Sequence, residues 1–198
     1  MDTERIVRRA DPQPEDIPAL ADGPLIAALV FCDDQQPDEV LRAFANGLIH
    51  RGHRVLGLIQ RGHCGGPQTR ELFATLLHTG DDVQLFQDLG SCAAGCKLDA
   101  DQLLRAGASI CDALLLDGGD ILIINRFGKL ERDGKGLLFL IEQAFSVGIP
   151  VLIAVPRASL DRWMAFCGGL CVRLECSESA LTAWWASFTP SAALRRSA

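Results

Sequence analysis

Asn125, Arg126, Lys129, Glu131, Asp133 and Lys135 crowd into one short stretch, spaced by Gly128, Gly134 and Gly136. A lysine between glycines lets its ammonium and the nearby backbone N–H groups face one anion together. That suits phosphate or a tetrahedral oxyanion such as molybdate. The same charges could equally be solvated loop residues, paired with Glu131 and Asp133. Lys97 is a further cation for such a cleft, with Arg61 an outside candidate. Cys96 precedes Lys97 just before a helix start, where a thiolate is favoured, so it could react or bind a soft metal. It could also simply fill a tight loop. Asp33, Asp34, Asp99, Asp117, Asp120, Glu131 and Asp133 offer carboxylates for acid/base work, but spacing alone nominates no pair. His50, His53 and His63 form no set with the spacing of a nucleophilic triad.

These residues need elements to hold them. Ile121 to Ile124 is too short for a helix and rich in β-branching, and reads as a strand buried on both faces. The polar cluster follows it, and in open parallel sheets ligands bind at the carboxyl ends of strands. Behind it, Leu137 to Phe145 reads as a buried helix. Residues 24–32 give another buried strand, ending in Asp33 and Asp34. Pro37, Asp38 and Glu39 then suit a first helical turn, and Val40, Leu41, Phe44, Ala45, Leu48 and Ile49 repeat with helical period up to Gly52. Residues 54–60 are the next strand. After a glycine-rich loop at 61–69, the runs 72–77 and 83–86 flank Thr79-Gly80-Asp81-Asp82 and predict a β-hairpin, though 71–78 could be two helical turns.

Asp99 can cap a helix to about Leu116, with Leu103, Leu104, Ile110, Cys111, Leu114 and Leu115 on its apolar face. Val151 to Val155 is a buried strand, and Ser159 can cap a short helix through Trp163. Leu170 to Leu174 predicts an edge strand, and Glu178 to Phe188 a last helix. The fold class expected is α/β: a three-layer sandwich around a mostly parallel sheet, with the hairpin inserted. Residues 1–23 predict a disordered arm, 24–189 one domain and 190–198 a loose tail.

A net charge of −6 argues against a nucleic-acid partner. No apolar run approaches the roughly 20 residues that span a bilayer, and the amino terminus lacks a signal-peptide core, so a cytoplasmic protein with no membrane partner is expected. The chain has eight cysteines. Cys92/Cys96 and Cys167/Cys171 are spaced more widely than the usual C-x-x-C ligand pair, so no metal is assigned, while Cys32 and Cys111 read as core packing.

Two segments, QDLG-x5-CKLD at 87–99 and INRFGKLE at 124–131 with a following GKG, resemble the bacterial family of unknown function DUF2478. The resemblance covers roughly residues 25–170. Its members are often labelled as relatives of THEP1-type P-loop nucleoside triphosphatases or as molybdenum-transport proteins. The resemblance therefore implies a P-loop-NTPase-like fold and a link to molybdate. A working P-loop needs G-x-x-x-x-G-K-[ST] after the first strand. Here the position reads Cys32-Asp33-Asp34-Gln35-Gln36-Pro37, without glycine or lysine and with two carboxylates that would repel a triphosphate. Asn125 and Arg126 stand where those relatives place an Asp-Glu pair serving Mg²⁺, and both are poor substitutes for that task.

The reading is a non-hydrolysing protein that binds a small anion or nucleotide on a degenerate P-loop-like fold, tied to molybdenum homeostasis. Its expected ligand-binding residues are Asp33, Cys96, Lys97, Asn125, Arg126, Lys129, Glu131 and Lys135. One rival is a nucleotide-processing enzyme holding phosphate with Lys97, Lys129 and Lys135. Another is an interaction module. Trp184, Trp185 and Phe188 are not easily all buried in one layer, so the last helix could seat a partner or a second copy. The sequence names no cofactor and identifies no catalytic residue.

Overall fold

The computed structural model describes residues 25–61, 72–86 and 98–188. The expectations for the amino-terminal arm, the tail, the glycine-rich loop, Cys96 and Lys97 lie outside them.

Wholly apolar runs make the centre of the sheet. Strands β1 (Ile26–Phe31), β2 (Val55–Arg61), β5 (Ile121–Asn125) and β6 (Val151–Pro156) are buried along nearly all their length, as parallel strands covered on both faces must be. They stand in the order β2-β5-β6-β1, all parallel. β7 (Cys171–Glu175) adds a parallel edge beside β1. At the other edge the hairpin β3 (Phe73–Leu76) and β4 (Asp82–Gln84) pairs antiparallel to β2. The three-layer α/β sandwich with an inserted hairpin is therefore what the chain adopts.

The path along the sheet positions the site. From β1 the chain crosses to β2 through α1 (Pro37–His50), then steps back through β5 and β6 to β7. Crossovers of one hand send their helices to opposite faces when the direction of travel reverses. Accordingly α1 and α6 (Glu178–Ala186) cover one face, with Leu41, Phe44, Leu48, Leu181, Trp184 and Trp185 in one core cluster. Helices α2 (Ala100–Asp117), α4 (Leu138–Ser146) and α5 (Leu160–Phe166) cover the other. The reversal between faces falls at the neighbours β1 and β6, which send their following helices α1 and α5 to opposite sides, and ligands in open α/β sheets bind outside the carboxyl ends of strands at such a point.

Local chemistry sets the helix limits. Pro37 occupies the first turn of α1 with Asp38 and Glu39. Asp99 caps α2 by accepting from the N–H groups of Asp101 and Gln102, both at 3.0 Å. Ser177, not anticipated, caps α6. Four expectations need correction. Leu104 and Leu115 are exposed: the buried face of α2 is Leu103, Ala106, Gly107, Ile110 and Leu114, because α4 comes in over Gly107 through Leu137 and Phe139. Ser159 precedes α5 but its side chain makes no cap bond. Cys111, half-buried, does pack against the core, but Cys32, also half-buried, belongs to neither core cluster.

The fourth concerns the terminal aromatics. Trp184, Trp185 and Phe188 are all buried within the chain. Trp184 meets Phe188 edge-on at 5.1 Å, and Trp185 meets His53 edge-on at 5.3 Å. The ground for a partner-seating helix is gone. Trp185→Ala should therefore lower stability by about 3–5 kcal/mol in urea unfolding and leave the sedimentation behaviour of the folded fraction unchanged. Dissociation of an oligomer at unchanged stability would reverse that conclusion. Among the described residues, no helix is long and apolar enough to cross a membrane.

Candidate functional site

At the reversal point the ends of β1 and β5 are tied together, although β6 lies between them. Asn125 ends β5 with a side chain almost wholly buried, and its Nδ2 donates to Asp38 Oδ1 at 2.9 Å. Arg126, the next residue, donates from one terminal nitrogen to both carboxylate oxygens of Asp38, at 3.0 and 3.3 Å. Its guanidinium lies 5.6 Å from the centre of the Phe31 ring, at the end of β1. The Asn125–Arg126 peptide bond is cis.

Asp38 sits in the first turn of α1, where the positive end of the helix favours a negative charge. An anionic ligand docking at that helix end would meet a carboxylate already in place. Two buried atoms of the cluster remain unspent: Arg126 Nε, a donor, and Asn125 Oδ1, an acceptor, have no hydrogen-bond partner among the described residues. Buried polar atoms left without partners are uncommon, and they point to a group that supplies the missing bonds.

The other expected site residues fall in different places. Asp33 is exposed in the loop between β1 and α1. Lys129 and Lys135 are exposed, and neither has an ion-pair partner among the described residues. Lys129 opens a short helix, α3 (Lys129–Arg132), inside what reads from sequence as a loop. Glu131, expected to meet a ligand, turns inward instead. Its Oε2 accepts from the Gly128 N–H at 3.0 Å and its Oε1 from the Leu137 N–H at 3.2 Å. It clasps its own loop, and this shapes the presentation of Lys129 and Lys135.

Burial pushes the Glu131 carboxyl above the ordinary glutamate range, against the pull of its backbone hydrogen bonds. Ionisation is therefore harder in the folded chain. The stability it contributes is complete below the unfolded-state value and declines as pH rises through the higher folded one. Glu131→Gln cannot ionise, so it should gain on the parent protein as pH rises through roughly 4 to 7, read from urea midpoints. A gap constant across that range would show that the N–H bonds offset burial completely.

The cysteines divide into two settings. Cys167 and Cys171 are buried, and Cys171 Sγ accepts from Trp163 Nε1 at 3.2 Å. The hydrogen bond to Cys171, reinforced by burial, pushes the Cys167 thiol far up, so the pair is core structure at the foot of α5. Cys32 and Cys176 lie at the functional end. Burial, and then the charges of Asp38 and Cys32, push the Cys176 thiol up. Among the described residues, no group of three His, Cys, Asp or Glu side chains is placed to hold a metal ion. Sequence reasoning missed Asp38 as a site residue: it reads as a helix-end charge, and only the fold reveals its two partners on β5.

The family described as "Protein of unknown function (DUF2478)" matches residues 26–184. The chain belongs to the DUF2478 family. Molybdenum import ATP-binding protein ModC 2 of Bradyrhizobium diazoefficiens is 36% identical over 161 residues, which make up 81% of this DUF2478 chain but 18% of that protein. The chain thus spans less than a fifth of the length of this curated relative. A human cancer-related nucleoside triphosphatase, solved in solution, is 16% identical with a TM-score of 0.48, over 66% of this chain and 75% of its own. Within the DUF2478 match, the Asp38–Asn125–Arg126 cluster joins two segments that are far apart in sequence.

Proposed function

We propose that the chain binds a nucleotide or small anion at the carboxyl ends of its parallel strands, on a degenerate P-loop-like fold and without hydrolysing it. One observation carries the reading: a buried donor and a buried acceptor, Arg126 Nε and Asn125 Oδ1, stand unspent together at the sheet's switch point. A bare oxyanion answers only the donor. A nucleotide with its counter-cation answers both, through phosphate oxygens for the arginine and a cation or N–H group for the amide oxygen. Among the ligands considered, the nucleotide therefore fits better.

Absence of turnover follows from the same residues. The loop after β1 offers Asp33, Asp34 and Pro37 where a phosphate cradle needs glycines and a lysine. Asp38 already neutralises the arginine nearest the helix end. Lys129 and Lys135 are the free cations left to meet outer phosphates. The name of the Bradyrhizobium relative favours a role in molybdenum uptake, as a part accompanying an ATP-binding import protein.

The test is a thermal-shift series with ATP, GTP, phosphate, sulfate, molybdate and tungstate, with and without magnesium, followed by phosphate-release assays. A ligand that binds only the folded chain stabilises it by about 2.7 kcal/mol at a hundredfold excess over its Kd. A magnesium-dependent shift with nucleotide, absent in Arg126→Ala and Lys129→Ala and without phosphate release, is the expected result. Sustained release of phosphate would establish an enzyme instead. No shift with any member of the series would sink the reading.

A further inference from the structure

On the opposite face of the sheet from the Asp38 cluster lies a cavity of about 180 Å³, lined by Val30, Arg157, Leu160, Arg173, Leu174 and Glu175. Val30 and Leu160 belong to the core beneath α5, whereas Phe31, beneath the Arg126 guanidinium, faces α1. Arg157 is the first residue after β6. Its Nε donates at 3.1 Å to the Sγ of Cys32, the first residue after β1, which holds the guanidinium over the seam between those strands. Arg173 and Glu175 alternate along β7 and so project to one side of it. Neither arginine takes part in any ion pair among the described residues.

Glu175 brings one negative charge to a lining that carries two guanidiniums, so the space keeps a net positive charge that favours an anion, and the planar forks suit a carboxylate or phosphate. The rest of the lining decides what that anion must carry. Val30 and Leu160 can be satisfied only by carbon, while Leu174, between Arg173 and Glu175, turns its side chain to the other face of the sheet. The oxygens of a bare tetrahedral oxyanion turned toward Val30 and Leu160 would lose their hydrogen bonds, which is unfavourable. The space has room for about six waters at ~30 Å³ each. That is enough for a charged head with a short carbon body. Glu175 would repel a second anionic group and accept from an O–H or N–H on that body.

We propose that this cavity is a second binding site, for a small organic anion whose carboxylate or phosphate head lies between Arg157 and Arg173 and whose apolar body lies on Val30 and Leu160. It does not depend on the nucleotide reading. Its residues differ from those of the Asp38 cluster, and its ligand needs no metal.

Isothermal titration of the full chain with benzoate, phenyl phosphate, inorganic phosphate and benzyl alcohol tests it. At least one organic anion should bind roughly tenfold or more tightly than both inorganic phosphate and the neutral alcohol, a difference set by head and body together. Arg173→Gln and Arg157→Gln should each weaken that binding about tenfold, while Arg126→Ala changes it by less than about twofold. Arg173 is exposed on an edge strand, so that variant keeps the fold, as circular dichroism would verify, even if losing the Cys32 contact harms the Arg157 variant. Comparison with benzoate tells a carboxylate site from a phosphate site. Equal binding of inorganic phosphate, an unaffected Arg173→Gln, abolition by Arg126→Ala, or no heat with any probe would each overturn the proposal.

Discussion

Gly57→Ala should cost about 4 kcal/mol or more, most of the stability of a chain at the lower end of the ordinary range of about 5–15 kcal/mol. Gly57 sits within β2 at a φ of +116°, a conformation that L side chains rarely adopt. A Cβ there would lie 2.7 Å from the carbonyl carbon of Ile123 and 2.9 Å from its nitrogen. Both belong to the backbone of β5, the paired strand, and cannot rotate away as a side chain could. The chain would have to part β2 from β5 or twist β2 out of register, exposing residues buried on both faces. Backbone strain alone accounts for roughly 1–3 kcal/mol. Gly80→Ala separates the two causes: its φ is +80°, but nothing lies within 4 Å of the added carbon. That change should cost only about 1 kcal/mol. Equal urea midpoints for the two variants would mean that β2 and β5 do not approach as described.

The second large effect concerns Asp38. Asp38→Ala should destabilise the fold by about 3 kcal/mol, because it strands a partly buried guanidinium and leaves Asn125 without its acceptor. The side chains of Arg126 and Asp38 are only 27% and 13% exposed, so water does not readily replace the lost partner. Asp38→Asn is gentler and more informative. It keeps an acceptor for Asn125 and removes the negative charge that holds Arg126. The positive helix end and the guanidinium are then both available to an anion, and affinity for ATP or molybdate should rise about tenfold, equivalent to about 1.4 kcal/mol. Stability should fall by about 1–2 kcal/mol as a charge-assisted bond becomes a neutral one. Titration of both variants beside the parent decides the matter. Unchanged or weaker anion binding in Asp38→Asn would show that the pair is structural and that ligands bind elsewhere.

What was legible from the sequence was what short-range rules govern. Strands buried on both faces announce themselves as unbroken apolar runs, so β1, β2, β5 and β6 could be placed closely. Pro37, Asp99 and the turn at 79–82 act on their own neighbours, so the starts of α1 and α2 and the hairpin were readable too. What escaped depends on meetings across the fold. Leu114, Leu115 and Leu116 are consecutive, and only the approach of α4 decides that Leu114 is buried while its neighbours face out. Asp38 meets Asn125 across 87 residues of sequence, and spacing carries no trace of that pairing. Glu131 looked like a ligand group because it stands among lysines. Its orientation is fixed by two backbone N–H groups that become available only once α3 has formed.

The sheet order also has a temporal side. β1 is the first strand of the sheet to be made, yet both its neighbours come last: Ile26 pairs with Val151 on one side and Cys171 on the other. Throughout most of synthesis this wholly apolar segment has no strand to bond with. The layer over one face is completed equally late, because α6 shares the cover of that face with α1. Pairings so distant in sequence make folding slow and leave sticky intermediates open to aggregation. A chain that stops before residue 151 leaves both edges of its opening strand unpaired, although β2 and β5 can already join and α1 can already lie over one face.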